Sequence, residues 1–152
     1  PLGRHFAKAT WMGDYTFSLS LWFEHSEADL SEVPQKLGIQ ASRMWKKGDR
    51  ITTPTDRVMD GTYKKSYCSI QLGQRRQEDL SAGLRSALVV LLPHRAYFEK
   101  LSADGIQVRF FIGWFSDKLN SREIVDWEIL RDMAQLHISL DLDFYGPDKA
   151  EE

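Results

Sequence analysis

The sequence predicts an α+β fold: a two-layer sandwich in which helices cover one face of a mainly antiparallel sheet, with one long basic loop. Three observations lead there. Strand-like and helix-like patterns alternate along the chain, so neither class dominates. The strands carry polar residues on their second face, among them Ser18, Ser20, Gln71, Arg109, Asp141 and Asp143, whereas a doubly wound parallel sheet buries both faces. At 152 residues with 42% hydrophobic content, the chain can build one core but not two ordinary domains.

The elements follow in order. Tyr15, Phe17, Leu19, Leu21 and Phe23 alternate with Thr16, Ser18, Ser20 and Trp22, the two-residue period of a strand with one buried face. Ser26 and Asp29 stand at capping-box spacing ahead of Leu30, Val33 and Leu37, and Gly38 ends this short helix. Pro34 draws its start toward Ser31, because proline suits only the first turn. From Ile39 to Pro54 core residues are scarce and turn formers common, which predicts an ordered loop flanked by short extended pieces.

Alternation returns from Tyr63 to Leu72, with Cys68, Ile70 and Leu72 on one face. Gly73 to Gln77 is expected to turn into the longest helix, where Leu80, Leu84, Leu88 and Leu91 recur at helical spacing. Pro93 kinks or divides that helix, and Tyr97, Phe98 and Leu101 extend its apolar face to the Gly105 stop. Ile106 to Trp114 alternates again, and the glycine of Gly113-Trp114-Phe115 marks a close backbone approach or a bulge beside a pocket. Asn120 and Glu123 stand at capping-box spacing before Ile124, Trp127, Leu130 and Met133, a final amphipathic helix. Ile138, Leu140, Leu142 and Phe144 form the last strand.

Residues 1–10, beginning Pro1-Leu2-Gly3 without a methionine, read as a tag remnant and disordered lead, residues 11–146 as one domain, and residues 147–152 as an acidic, frayed tail. Cys68 is the single cysteine, which fits a reducing compartment and predicts a cytoplasmic protein. No apolar run reaches the roughly 20 residues of a membrane helix. The four histidines lack metal-site spacing and no nucleophile carries a local signature, so neither metal nor cofactor is expected and a catalytic role is disfavoured.

Charge is distributed unevenly. Nine basic and three acidic residues lie between Arg43 and Arg76, against eleven and nineteen in the rest of the chain. Such polarity steers anionic partners even when the net charge is only −2. The candidate binding residues are Arg43, Trp45, Lys46, Lys47, Arg50, Tyr63, Lys65 and Tyr67, together with Arg109 on the polar sheet face. Guanidinium and ammonium groups neutralise an anion while Trp45, Tyr63 or Tyr67 stack on a ring. The plainer alternative is a solvated hairpin with Trp45 as its anchor and Gly48-Asp49 and Asp60-Gly61 as its turns. Arg109 facing Asp141 or Asp143 is a register-setting ion pair or, less simply, a shielded acid/base site. Trp22 and Trp45 are the tryptophans expected nearest a partner surface. Nucleic acid is disfavoured, since the pI of about 6.1 lies far below the usual basic footprint.

Tyr15 to Phe23, Leu37-Gly38-Ile39, the Arg43 to Asp49 segment with its tryptophan and Gly-Asp, Gly61-Thr62-Tyr63, Ser66-Tyr67, Phe111 to Phe115 and Leu140 to Tyr145 together resemble the bacterial domain-of-unknown-function 4279 family. Cys68 departs from an aromatic residue expected after Ser66-Tyr67. The resemblance spans nearly the whole chain and implies a small cytosolic bacterial α+β domain, without catalytic residues to carry over. Two functions are expected from the chain as a whole. One is a non-enzymatic interaction module, of the immunity or inhibitor type, that docks a protein partner through the basic aromatic loop and the open sheet face. The other is a sensor or enzyme for a small anionic ligand held between that loop and Arg109.

Overall fold

The computed structural model describes residues 14–76 and 79–147, with the side chains of residues 74–76 outside the description. The expected lead at 1–10 and all of the tail after Pro147 lie outside the described residues. In chain order the strands are β1 (Thr16–His25), β2 (Arg43–Trp45), β3 (Arg50–Thr52), β4 (Val58–Thr62), β5 (Ser66–Arg76), β6 (Gln107–Phe115) and β7 (Ile138–Tyr145). The helices are α1 (Val33–Leu37), α2 (Leu80–Leu91), α3 (Arg95–Ala103) and α4 (Trp127–Gln135). Among the described residues no helix is long and apolar enough to cross a membrane.

Five strands make one sheet in the order β2-β5-β1-β6-β7, and β3 pairs with β4 as a separate hairpin. The long alternating run of β1 occupies the centre because only a strand flanked on both sides satisfies all its backbone groups inside the sheet. Its neighbours β5 and β6 are antiparallel, as is β2 on β5. β7 runs parallel to β6, and α4 supplies the crossover that a parallel pair requires. The architecture is the expected α+β sandwich with a mainly antiparallel sheet.

One sheet face is the core. Phe17, Leu19, Leu21 and Phe23 of β1, Cys68 and Ile70 of β5 and Phe110 and Ile112 of β6 are fully buried against Leu84, Leu91, Phe98, Ile129 and Met133 of the helices. Each such side chain contributes about 1.5–3 kcal/mol of transfer free energy, so this face dominates stability. The buried hydroxyl of Tyr15 donates to Glu123 and accepts the first amide of α2, Leu80 N–H, at 3.0 Å. Its ring stacks on Trp114 at 3.7 Å.

Several elements differ from expectation. α4 begins at Trp127 with Asp126 as its N-cap residue, not at Ile124, because Glu123 is engaged by Tyr15. α1 begins at Val33, since Asp29 accepts from Ser31 N–H at 2.9 Å in a local turn and does not open a helix. The turn expected at Gly73 to Gln77 is still strand as far as Arg76, where β5 continues to pair with β1 through a register irregularity. Gly61 lies inside β4 and makes no turn. Pro93 divides α2 from α3 as expected, through a short 3-10 segment at Leu92–His94. Gly113 also behaves as expected: a Cβ there would stand 2.7 Å from Ser18 Oγ.

Candidate functional site

The sheet face away from the helices is where the candidate residues meet. β2 is only three residues long, yet its pairing puts Trp45 opposite Tyr67 and Arg43 opposite Ser69. Trp45 stacks on Tyr63 at 4.1 Å and on Tyr67 at 4.3 Å. Two rings that close and that parallel would overlap if they shared a face, so Trp45 is sandwiched between them. Its indole N–H donates to Lys65 O at 3.1 Å, which satisfies the one polar group of the ring. The row continues edge-on from Tyr67 to Trp22 at 5.5 Å, and Trp22 lies flat on Phe111 at 4.0 Å. Burial raises the pKa of Tyr67.

A polar clasp joins this row to the β3–β4 arm. Tyr63 Oη accepts from Thr52 N–H at 3.2 Å and donates to Thr52 O at 3.0 Å, and the accepted bond lowers the phenol pKa. Arg43 donates to the same Thr52 carbonyl at 2.5 Å and lies 5.0 Å from the centre of the Trp45 ring. Gly48 N–H to Tyr63 O and Tyr63 N–H to Asp49 O, both 2.9 Å, close the base of the arm. Gly48 takes φ +90°, a backbone region that glycine enters without strain. A two-stranded hairpin is marginal by itself; this base holds it in place.

The candidate cations, taken with their neighbours Arg57 and Lys64, fall into two groups. Arg43 points inward as part of the clasp, Lys46 lies 3.7 Å from Asp29, and Lys47 pairs with Glu27. Arg109 is held between Glu24 and Asp141, the latter at 3.5 Å, next to Trp22. Its guanidinium is thus matched by two carboxylates, which leaves no free positive charge there for an anion. Among the described residues, Arg50, Arg57, Lys64 and Lys65 make no ion pair. Arg50 and Arg57 belong to the arm, and Lys64 and Lys65 to the connection from β4 to β5.

The arm also carries apolar surface that the sequence reading left out. Val58 is 55% and Met59 52% exposed. Shallow hollows of about 220 and 330 Å³ flank these two residues, with Arg50 bordering one and Arg57 the other. The missed signal is Ile51 and Val58 bracketing the turn formers Thr53-Pro54-Thr55-Asp56, a hairpin pattern. Of the two tryptophans expected near a partner, Trp22 and Trp45 are half-buried on this face, while Trp127 at the start of α4 is the more exposed residue. Cys68 lies under the helices, and burial pushes its thiol up to about 11, which removes thiolate chemistry at neutral pH. Among the described residues no group of three His, Cys, Asp or Glu side chains is placed to hold a metal.

Residues 14–147 match the family model described as a domain of unknown function (DUF4279). No curated protein and no solved structure matches the chain.

Proposed function

The chain belongs to the DUF4279 family, and we propose that it acts as a non-enzymatic interaction module, of the immunity or inhibitor type, that docks an acidic protein partner. The docking surface is the β3–β4 arm with the aromatic end of the open sheet face. The observation that carries this reading is the arm itself: Arg50 and Arg57 border exposed Val58 and Met59 on an anchored hairpin, Lys64 and Lys65 follow its second strand, and none of the four has an ion-pair partner among the described residues. Exposed aliphatic side chains bordered by two guanidinium groups, with Asp60 as the one acidic residue lining the same hollows, suit a protein surface of mainly opposite charge. The stacked rings argue against ring recognition by Trp45, because both of its faces are covered by tyrosines. A small anion between the loop and Arg109 is disfavoured for the reason already given: Glu24 and Asp141 hold that guanidinium. The lone buried cysteine supports a cytoplasmic setting, and the family resemblance supports a bacterial host.

The test is photocrosslinking from position 59 in the full chain, mixed with host lysate. An adduct with an acidic protein is expected, and it should disappear when Arg50, Arg57, Lys64 and Lys65 are all changed to Glu. Equal adduct yield from the charge-reversed chain would remove the arm from the interface.

A further inference from the structure

At the opposite edge of the sheet, β7 runs for eight residues in unbroken register with β6, and no strand pairs with its other side among the described residues. The orientation of its free groups follows from one bond. Ser116 N–H donates to Tyr145 O at 3.1 Å, so Tyr145 directs its backbone groups toward β6. Alternate residues of a strand share that direction. Ser139, Asp141 and Asp143 therefore also bond inward, while Leu140, Leu142 and Phe144 present N–H and C=O to the free edge.

The side chains along this edge are sorted too. Leu142 is 41% and Phe144 65% exposed on the helix side, whereas Asp141 and Asp143 lie on the open face beside Phe111 and Gly113. Glu24 and Asp141 share the guanidinium of Arg109, and among the described residues Asp143 accepts only the Tyr145 hydroxyl, at 2.6 Å. The open-face border of β7 is thus anionic. No proline, lysine or bulge blunts the edge.

We propose that β7 takes up an extended segment of another protein as a sixth strand of the sheet, one in which basic and aliphatic residues alternate. Main-chain bonds to Leu140, Leu142 and Phe144 would hold it, with aliphatic side chains on Leu142 and Phe144 and basic ones beside Asp141 and Asp143. Charge decides against a second copy of this chain. Two-fold pairing centred on Leu142 sets Asp141 opposite the second copy's Asp143 twice, and like charges directly opposite are destabilising.

The probe is a peptide of about ten residues alternating valine and lysine, compared with a valine–glutamate peptide and with a valine–lysine peptide whose order breaks the alternation. In the full chain, the alternating lysine peptide should slow amide exchange at Leu142 and Phe144 about tenfold and bind more tightly than either control. Leu142→Pro should abolish this without unfolding the domain, because the lost N–H faces the free edge. Asp143→Lys supplies a second test, by shifting preference to the glutamate peptide. Equal binding of all three peptides, or slowed exchange at the β3–β4 arm instead, would overturn the proposal. So would dimerisation of the chain alone that Leu142→Pro abolishes, which assigns the edge to a second copy.

Discussion

The two faces of the central strand are built on different principles. On the helix side of β1, Phe17, Leu19, Leu21 and Phe23 are fully buried, and their contribution scales with apolar area removed from water. On the other side the same strand presents Ser18, Ser20, Trp22 and Glu24, held by a Trp22 N–H bond to Ser20 Oγ at 3.0 Å, a ring stack and the Arg109 ion triad. The first face makes the fold; the second is ordered by a few directional contacts that contribute little each. A surface of that second kind can be reshaped for a partner without endangering the core.

Adjacent phenylalanines of β6 test this most sharply, since Phe110 faces the helices fully buried and Phe111 faces out against Trp22. Phe110→Ala should destabilise by about 3–5 kcal/mol in urea titration, the usual result of emptying a packed aromatic site. Phe111→Ala should lose about 1 kcal/mol, from one stacked pair and partial burial. Equal losses would mean that the open face is a second core, and the division between the faces would fail.

The helix side was largely legible in the sequence because its signal is periodic. Phe17 to Phe23, Leu80 to Leu91 and Ile106 to Trp114 each repeat one spacing over many residues, and each became the expected element. Competition between side chains was not legible. Glu123 looks like a capping residue until Tyr15, more than one hundred positions earlier, takes its carboxylate, and Trp127 is then left exposed at the helix start. The candidate site was legible as a composition, a basic stretch threaded with aromatics, but not as a geometry. Arg43, Lys46, Lys47 and Arg109 differ from Arg50, Arg57, Lys64 and Lys65 only in which carboxylates or carbonyls the fold brings near them, and no local pattern encodes that.

Cys68 offers a smaller test from the buried side. Burial raises its thiol from 9.0 to about 11, so the folded state favours the protonated form. The resulting stabilisation is complete below pH 9, where folded and unfolded thiols are both protonated. It is lost as pH rises from 9 through 11, and amounts to about 2–3 kcal/mol at most. Tyr97, pushed up to about 12, and Tyr15, also raised, act in the same direction at higher pH. Because both tyrosines remain in Cys68→Ala, the difference between the two proteins isolates the thiol. Wild type should lose stability more steeply than Cys68→Ala between pH 9 and 11. Parallel curves would place the thiol in contact with solvent and weaken the distinction between the faces.

The smallest expected effect is on the arm. Replacing Arg50, Arg57, Lys64 and Lys65 together by Glu removes no ion pair among the described residues and leaves the Tyr63–Trp45–Tyr67 stack and the Thr52 clasp intact. Exposed charges of this kind move stability by only about 0.5 kcal/mol in either direction. Thermal melts should therefore nearly coincide with wild type, and more closely at 1 M salt, where the Debye length is about 3 Å. A large loss that salt restores would show that the four cations offset the acidic remainder of the chain and help hold the fold. In that case their lack of paired carboxylates would reflect long-range balance within one molecule, and the arm would lose its claim as a surface kept free for a partner.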